Sequence, residues 1–191
     1  MTARWVVDQV APRRDLNVIW QPISLLFKNE PAEGSPYREG AMIGHRMLRV
    51  MEALRADCGD EAVFEWYWLC GTTLHHDQRR DADLGDLLEH LGRDRRYAEA
   101  ADDERWDSEI RSRMDAGLAL VGDDVGTPII AFVCPDGTKR GIFGPVITRV
   151  PDAEQSLKVW DAMETFTTMD GFWEIKRTRT ERAEFGERPD I

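Results

Sequence analysis

The sequence has no apolar run long enough to cross a bilayer, and no charged N-terminal segment followed by an apolar stretch that would direct export. We therefore expect a cytoplasmic protein without a membrane partner. Basic clusters are also missing, since the 25 lysines and arginines are scattered among 36 acidic residues and the net charge is -11. Because this charge repels a phosphate backbone, nucleic acid is not an expected partner either.

Cysteine is scarce, and none of the three cysteines (Cys58, Cys70 and Cys134) stands in a Cys-x-x-Cys pair. An odd number at irregular spacing argues against a disulfide framework and fits a reducing compartment. Cys70 precedes His75 and His76, but a zinc site needs three or four converging ligands, so no metal is predicted. The sequence also shows no Gly-rich phosphate loop, no Ser-His-Asp arrangement and no dinucleotide fingerprint.

The clearest feature that is present is a β-branched run, Ile129-Ile130-Ala131-Phe132-Val133, between Gly126-Thr127-Pro128 and the turn Pro135-Asp136-Gly137. This pattern predicts a buried strand that enters a hairpin. Pro128 has no N–H for a strand ladder, so it belongs at the start of the strand or in the turn before it. The Thr127-Pro128 bond can be cis at modest cost.

Helical periodicity covers most of the remaining chain. The first predicted helix stops before Pro12, and a strand is predicted from Leu16 to Ile23. A charged tail from Lys176 to Ile191 is expected to pack loosely. The further predicted helices are Tyr37 to Ala56, Asp60 to Leu74, one around Leu84 to Leu91, Tyr97 to Ala101, Asp107 to Val121, and one that follows Asp152.

Five segments in the last half of the chain carry a resemblance to a known family. They are Met114-Asp115-Ala116, Val121-Gly122-Asp123-Asp124-Val125-Gly126-Thr127-Pro128, Phe143-Gly144-Pro145-Val146, Leu157-Lys158-Val159-Trp160-Asp161-Ala162 and Lys176-Arg177-Thr178-Arg179-Thr180-Glu181. With them the chain resembles, from about Thr2 to Phe185, the actinobacterial DsbA-like proteins that act as mycothiol-dependent nitroreductases. The resemblance implies an α/β, thioredoxin-like (DsbA-like) sheet with a large helical insertion, with residues 1-30 and 120-191 in the thioredoxin-like domain and residues 31-119 in the insertion.

The resemblance also implies that the first strand and the Cys-Pro-x-Cys type motif are absent from this chain. A thioredoxin fold opens with a strand and an active-site turn, whereas this sequence opens with a predicted helix. Either the chain starts too late, or this member has lost its redox centre; we favour the first, because the sheet would otherwise lose a central strand. No catalytic residue is therefore assigned within the chain.

By resemblance, Thr127 and Pro128 form the cis-proline loop, and Thr127 offers backbone groups to a bound thiol. Asn29 and Tyr37 bracket a loop at the end of a predicted central strand, where open α/β sheets bind ligands, so both are predicted to bind substrate. Trp5 is a further candidate for flanking this site, with a place in the core as the alternative. His75 is a candidate for the cleft below the helical insertion.

The implied function is a thiol-dependent oxidoreductase that uses mycothiol as co-substrate, without a bound cofactor, to reduce an electrophilic or nitro compound. One alternative is a non-catalytic DsbA-like module that binds a ligand or partner. Another is a glutathione-transferase-like or isomerase relative of the same fold. The sequence predicts no oligomeric state.

Overall fold

A computed structural model describes residues 1–189. The fold is mixed α/β and mostly helical, with a single two-stranded sheet in the described chain. In chain order the elements are α1 (Thr2–Trp5), a π-helical turn (Val6–Val10), α2 (Ala11–Arg14), α3 (Leu25–Asn29), α4 (Pro36–Cys58), α5 (Asp60–His75), α6 (Leu84–His90), two 3-10 helices (Arg95–Asp102 and Glu104–Trp106), α7 (Asp107–Leu118), β1 (Ile129–Val133), β2 (Lys139–Phe143) and α8 (Ala153–Thr168).

The chain divides into two compact units. The first contains residues 1–18 and 116–186, and the second contains residues 19–115 with the last described residues from Glu187 onward. No helix within residues 1–189 combines the length and the apolar composition needed to span a bilayer.

The first unit is built around the predicted hairpin, whose pairing is confirmed. The prediction that β1 is buried is wrong, because its residues are half-buried or exposed and Val133 is 69% exposed. Strands β1 and β2 pair antiparallel, with Ala131 opposite Gly141. Asp136 shapes the turn, because its carboxylate accepts from the Thr138 N–H at 2.9 Å. One face of the hairpin packs on a core in which the largest side chains are Trp5 and Trp160.

The second unit is organised by α4 and α5. The start of α4 is fixed by Ser35, whose hydroxyl accepts from the Tyr37 N–H at 3.3 Å, and its end by Gly59, which adopts a φ of 82° that favours glycine. Apolar residues of both helices form the main core. Trp66 of α5 donates its indole N–H to the Met47 carbonyl at 2.9 Å, so even the polar atom of this buried ring is satisfied.

Two predictions near the N-terminus are wrong. Leu16 to Ile23 is not a strand, because in the described chain it has no ladder partner; Leu16 and Val18 contribute only side chains to the first core. The first helix does not stop before Pro12 but continues to Arg14 through the π-helical turn. Proline fits there because it lies in the first turn of α2, where its missing N–H is not needed.

The charged tail is more ordered than predicted. The Glu184 N–H donates to the Thr148 carbonyl at 2.7 Å, and Arg4 donates to the Phe185 carbonyl at 2.6 Å. The final part of the predicted loose tail, residues 190 and 191, lies outside the described residues. The segment Tyr97 to Ala101 is 3-10 helical and belongs to Arg95–Asp102.

The close packing of the hairpin at Gly141 gives a first prediction. An added Cβ there would lie 2.7 Å from Cβ of Leu120, an atom that cannot move without its backbone. We expect Gly141→Ala to lower the free energy of unfolding by about 1–3 kcal/mol, measured by urea denaturation. The matched control is Gly117→Ala in α7 of the same unit, where no described atom lies within 4 Å of the added Cβ. This control should leave stability unchanged or raise it by up to about 1 kcal/mol, and equal losses would contradict the packing argument.

Candidate functional site

The loop before β1 contains the cis-proline bond that the sequence analysis considered possible. The Thr127-Pro128 peptide bond is cis, Thr127 is exposed and Pro128 is half-buried. The Pro128 carbonyl accepts from the Gly144 N–H at 2.8 Å, so the hydrogen bonding of the hairpin continues to this residue. The loop is thus held at one end of the sheet with Thr127 open to solvent.

A second proline loop lies beside the first. The Gly144-Pro145 bond is also cis, and Gly144 has a φ of 101°, which favours glycine. The Pro145 carbonyl accepts from the Thr2 hydroxyl at 2.7 Å, and Thr2 is buried at the start of α1. The two proline loops are therefore linked to each other through Gly144 and to α1 through Thr2.

Trp5, predicted to flank the site, lies in the core instead. Its ring is fully buried and packs at 5.9 Å between centroids against Trp160, which in turn packs at 5.2 Å against Phe132. The indole N–H of Trp5 has no hydrogen-bond partner among the described residues. With no exposed surface, Trp5 offers no face to a ligand.

The remaining predicted site residues belong to the second unit. Asn29 is the exposed last residue of α3, and Tyr37 lies 80% exposed in the first turn of α4. Arg38 donates to the Pro31 carbonyl at 2.8 Å, which attaches the loop between α3 and α4 to the start of α4. His75 is exposed at the end of α5. Binding roles for these three residues remain predictions.

The second unit contains a buried series of hydrogen-bonded polar side chains that the sequence analysis did not predict. Ser24 Oγ lies 2.9 Å from His45 Nδ1, and His45 Nε2 lies 3.1 Å from Asp107 Oδ1. Arg49 donates a hydrogen bond to each carboxylate oxygen of Asp107, from Nε at 2.7 Å and from a terminal nitrogen at 2.8 Å. Ser24 is fully buried and His45 is 2% exposed. We call these four residues the His45 network.

The pKa values of Asp107 and His45 are shifted by burial and by the charges next to them. Burial acts to raise the pKa of Asp107, but the hydrogen bonds and charge of Arg49 outweigh it and hold this pKa below its ordinary value. Burial is also the main influence on His45 and lowers its pKa, against the attraction of Asp107. An ionised Asp107 and a neutral His45 follow at neutral pH.

The His45 network corrects the expectation that no Ser-His-Asp arrangement exists, yet it is not a catalytic triad. In a triad the serine contacts Nε2 and the aspartate contacts Nδ1, whereas here the two nitrogens are exchanged. Ser24 is also inaccessible, and its hydroxyl already caps α3 by accepting from the Phe27 N–H at 3.2 Å. The network is structural, and its spacing along the chain (21 and 62 residues) explains why no motif revealed it.

A second ionic cluster lies further along α4. Glu52 is 2% exposed and pairs with Arg55 at 3.2 Å and with Arg113 of α7 at 3.0 Å. Arg55 also donates to the Trp20 carbonyl at 2.7 Å. Together with Asp107, Arg113 gives α7 two charged attachments to α4.

The cysteines differ in exposure, and all three are free thiols. Cys70 is buried in the main core, and this burial raises the pKa of its thiol far above the ordinary value. Cys58 is exposed, with its sulfur 3.6 Å from the Tyr97 hydroxyl. Cys134 is half-buried before the hairpin turn.

Two cavities open on the surface of the second unit. Two surface cavities of about 750 and about 510 Å³ adjoin the 3-10 helix Arg95–Asp102, and none of the predicted site residues lines either. In residues 1–189 no group of three or more His, Cys, Asp or Glu side chains is arranged to hold a metal ion.

The Arg49–Asp107 pair can be tested against a surface pair of the same type. Asp107→Asn removes the direct ion pair of the largely buried Arg49, so we expect a loss of roughly 3 kcal/mol in the free energy of unfolding. Asp102→Asn is the control, because Asp102 pairs with Arg46 of the same helix at 2.8 Å with both side chains exposed. Its cost should stay below about 1 kcal/mol. If urea denaturation gave similar losses for the two variants, the buried pair would contribute no more to stability than the exposed pair.

Thiol labelling can test the order of cysteine exposure. With an excess of a maleimide under native conditions, Cys58 should react first and Cys70 should stay unmodified, because only the exposed thiol reaches the reagent. Intact mass after denaturation should show all 3 cysteines labelled. Cys58→Ser should remove the fast phase, and native labelling of Cys70 would contradict its placement in the core.

A comparison with protein-family models matches residues 1–177 to one family. The description of that family is Rv2466c-like, mycothiol-dependent nitroreductase Rv2466c. The match covers nearly all of the 191 residues and includes both units. The chain therefore belongs to the Rv2466c-like family of mycothiol-dependent nitroreductases.

Proposed function

We propose that this chain is a thiol-dependent reductase that uses mycothiol to reduce nitro or other electrophilic compounds. The family match over residues 1–177 is the observation that carries the proposal. The proposed architecture is a thioredoxin-like, DsbA-like domain formed by residues 1-30 and 120-191, with a helical insertion at residues 31-119. The hairpin β1–β2 followed by α8 supports this architecture.

Thr127 is the proposed contact for the bound thiol. It is exposed, it lies two residues before β1, and the carbonyl of Pro128 after it accepts a hydrogen bond from Gly144. A loop attached in this way presents the backbone groups of Thr127 in one orientation, which suits a sulfur-containing ligand that lies along the chain. Asn29, Tyr37 and His75 are proposed to contribute exposed polar side chains to substrate binding, whereas the buried Trp5 is omitted.

The proposed chemistry balances with mycothiol as the electron donor. Two thiols lose two protons and two electrons and join in a disulfide. The nitro group accepts both electrons and both protons, releases one oxygen as water and becomes a nitroso group. No step is assigned to a cysteine of this chain, because Cys70 is buried and the sequence has no Cys-x-x-Cys pair.

The same observation on the cysteines favours a second candidate, a module that binds mycothiol or a partner without turnover. The two candidates share the Thr127 loop as the binding site and differ only in the reaction. Turnover of a nitroaromatic compound with mycothiol separates them, since the binding module predicts binding without loss of the nitro group.

The binding site can be tested with two matched substitutions in the same unit. Thr127→Arg places a long side chain over the proposed thiol position and should weaken mycothiol binding at least about tenfold, measured by calorimetry. Thr165→Arg is the control on α8, where Thr165 is exposed and its hydroxyl bonds only to the Asp161 carbonyl of its own helix. The control should bind as the unmodified chain does. Equal binding by both variants would place the thiol elsewhere, and no binding by the unmodified chain would remove the proposal.

A further inference from the structure

The direction of each hydrogen bond in the His45 network follows from one fact. An ionised carboxylate can only accept, so His45 Nε2 must carry the proton that points to Asp107. In a neutral imidazole the other nitrogen, Nδ1, then accepts, and the Ser24 hydroxyl must donate to it. The oxygen of Ser24 remains free to accept from the Phe27 N–H. Every member is satisfied, but only while His45 is neutral.

Proton uptake by His45 would break this arrangement at Ser24. Nδ1–H and the Ser24 hydroxyl hydrogen would then point at each other across 2.9 Å. The Ser24 oxygen would have to accept from His45 as well as from Phe27, and its own proton would lose its acceptor in a fully buried position. A buried donor without an acceptor is costly, so the simplest relief is that α3 moves away and water reaches the Ser24 hydroxyl, which ends the cap on α3.

The charged groups around His45 come from two helices. Arg49 lies on α4, and Asp107 and Arg111 lie on α7. Arg111 sits 3.6 Å above the centre of the Phe27 ring, and that ring packs on the His45 ring at 4.4 Å between centroids. A charged imidazole would therefore join Arg111 as a second cation against Phe27, while Asp107 is already engaged by Arg49.

We propose that His45 is a pH-sensitive positioning residue that, when neutral, holds the Ser24 cap on α3 and, when protonated, releases α3 and the loop that follows. The released segment would include Asn29, at the end of α3. The device goes beyond the proposed function and does not depend on it, because it concerns the order of the segment and not what the segment binds.

The direction of the pH dependence follows from proton binding. Burial lowers the pKa of His45 in the folded chain below the ordinary value of about 6.5 that it regains on release. The anchored state thus binds fewer protons than the released state. Anchoring is complete above about pH 6.5 and weakens as the pH falls below it.

Amide hydrogen exchange of Phe27 and Lys28, read by NMR and corrected for intrinsic rates, tests the proposal on the full chain. Between about pH 7.5 and about pH 5, with the imidazole resonance of His45 followed in parallel, protection should fall at least about fivefold as His45 protonates. Ser24→Ala should show low protection at both pH values. His45→Asn, whose carbonyl oxygen can still accept from Ser24 but which cannot titrate, should be protected at both.

His90→Asn is the matched control, since His90 is exposed at the end of α6 and outside the network. It should keep the full pH response. The proposal is overturned if protection stays constant while His45 protonates, if His45 does not protonate above about pH 5, or if His45→Asn keeps the response. None of these readings involves a thiol or a nitro compound, so a failure here is separate from a failure of the proposed function.

Discussion

The bidentate pair between Arg49 and Asp107 is the interaction on which the second unit depends most. It joins the middle of α4 to the first residue of α7 through two short charge-assisted bonds. A third donor of Arg49 reaches the Ala101 carbonyl at 3.2 Å, so the 3-10 helix Arg95–Asp102 is held by the same guanidinium. Three separate segments thus meet at one side chain that a lysine could not replace.

This pair belongs to a polar stripe on α4. His45, Arg49 and Glu52 follow one another at spacings of four and three residues, which places them on one face of the helix. All three are buried, although a stripe at this spacing normally carries apolar residues. Burial of these groups is sustained because each has a partner with opposite charge or with a matching donor or acceptor. The stripe fixes which segments lie against α4.

Local patterns were sufficient for most elements of the fold. The helix from Tyr37 follows from its period, and the hairpin from Asp136-Gly137. The helix predicted after Asp152 is also correct, and the Asp152 carboxylate caps it by accepting from the Gln155 N–H at 2.9 Å. Leu16 to Ile23 failed because a strand requires a partner, and a partner is not a property of the segment itself.

The candidate site was less accessible to sequence reasoning. Trp5 could be placed on a helix but not on its buried face, since Trp160, the ring that covers it, lies far away in the chain. The His45 network joins residues from three separate segments, and none of them forms a recognisable motif with its neighbours. Contacts of this kind arise only when helices are packed together, and local periodicity carries no information about them.

The proton order within the His45 network has a consequence for how related sequences can differ. Each residue in the series from Phe27 through Ser24 and His45 to Asp107 sets the donor or acceptor role of the next. A substitution at one position therefore changes which side chains the other positions tolerate. The changes in the free energy of unfolding caused by substitutions at these positions are not additive. In an alignment of relatives, positions 24, 45, 49 and 107 should covary as a set, with apolar or differently bonded combinations replacing the whole group together.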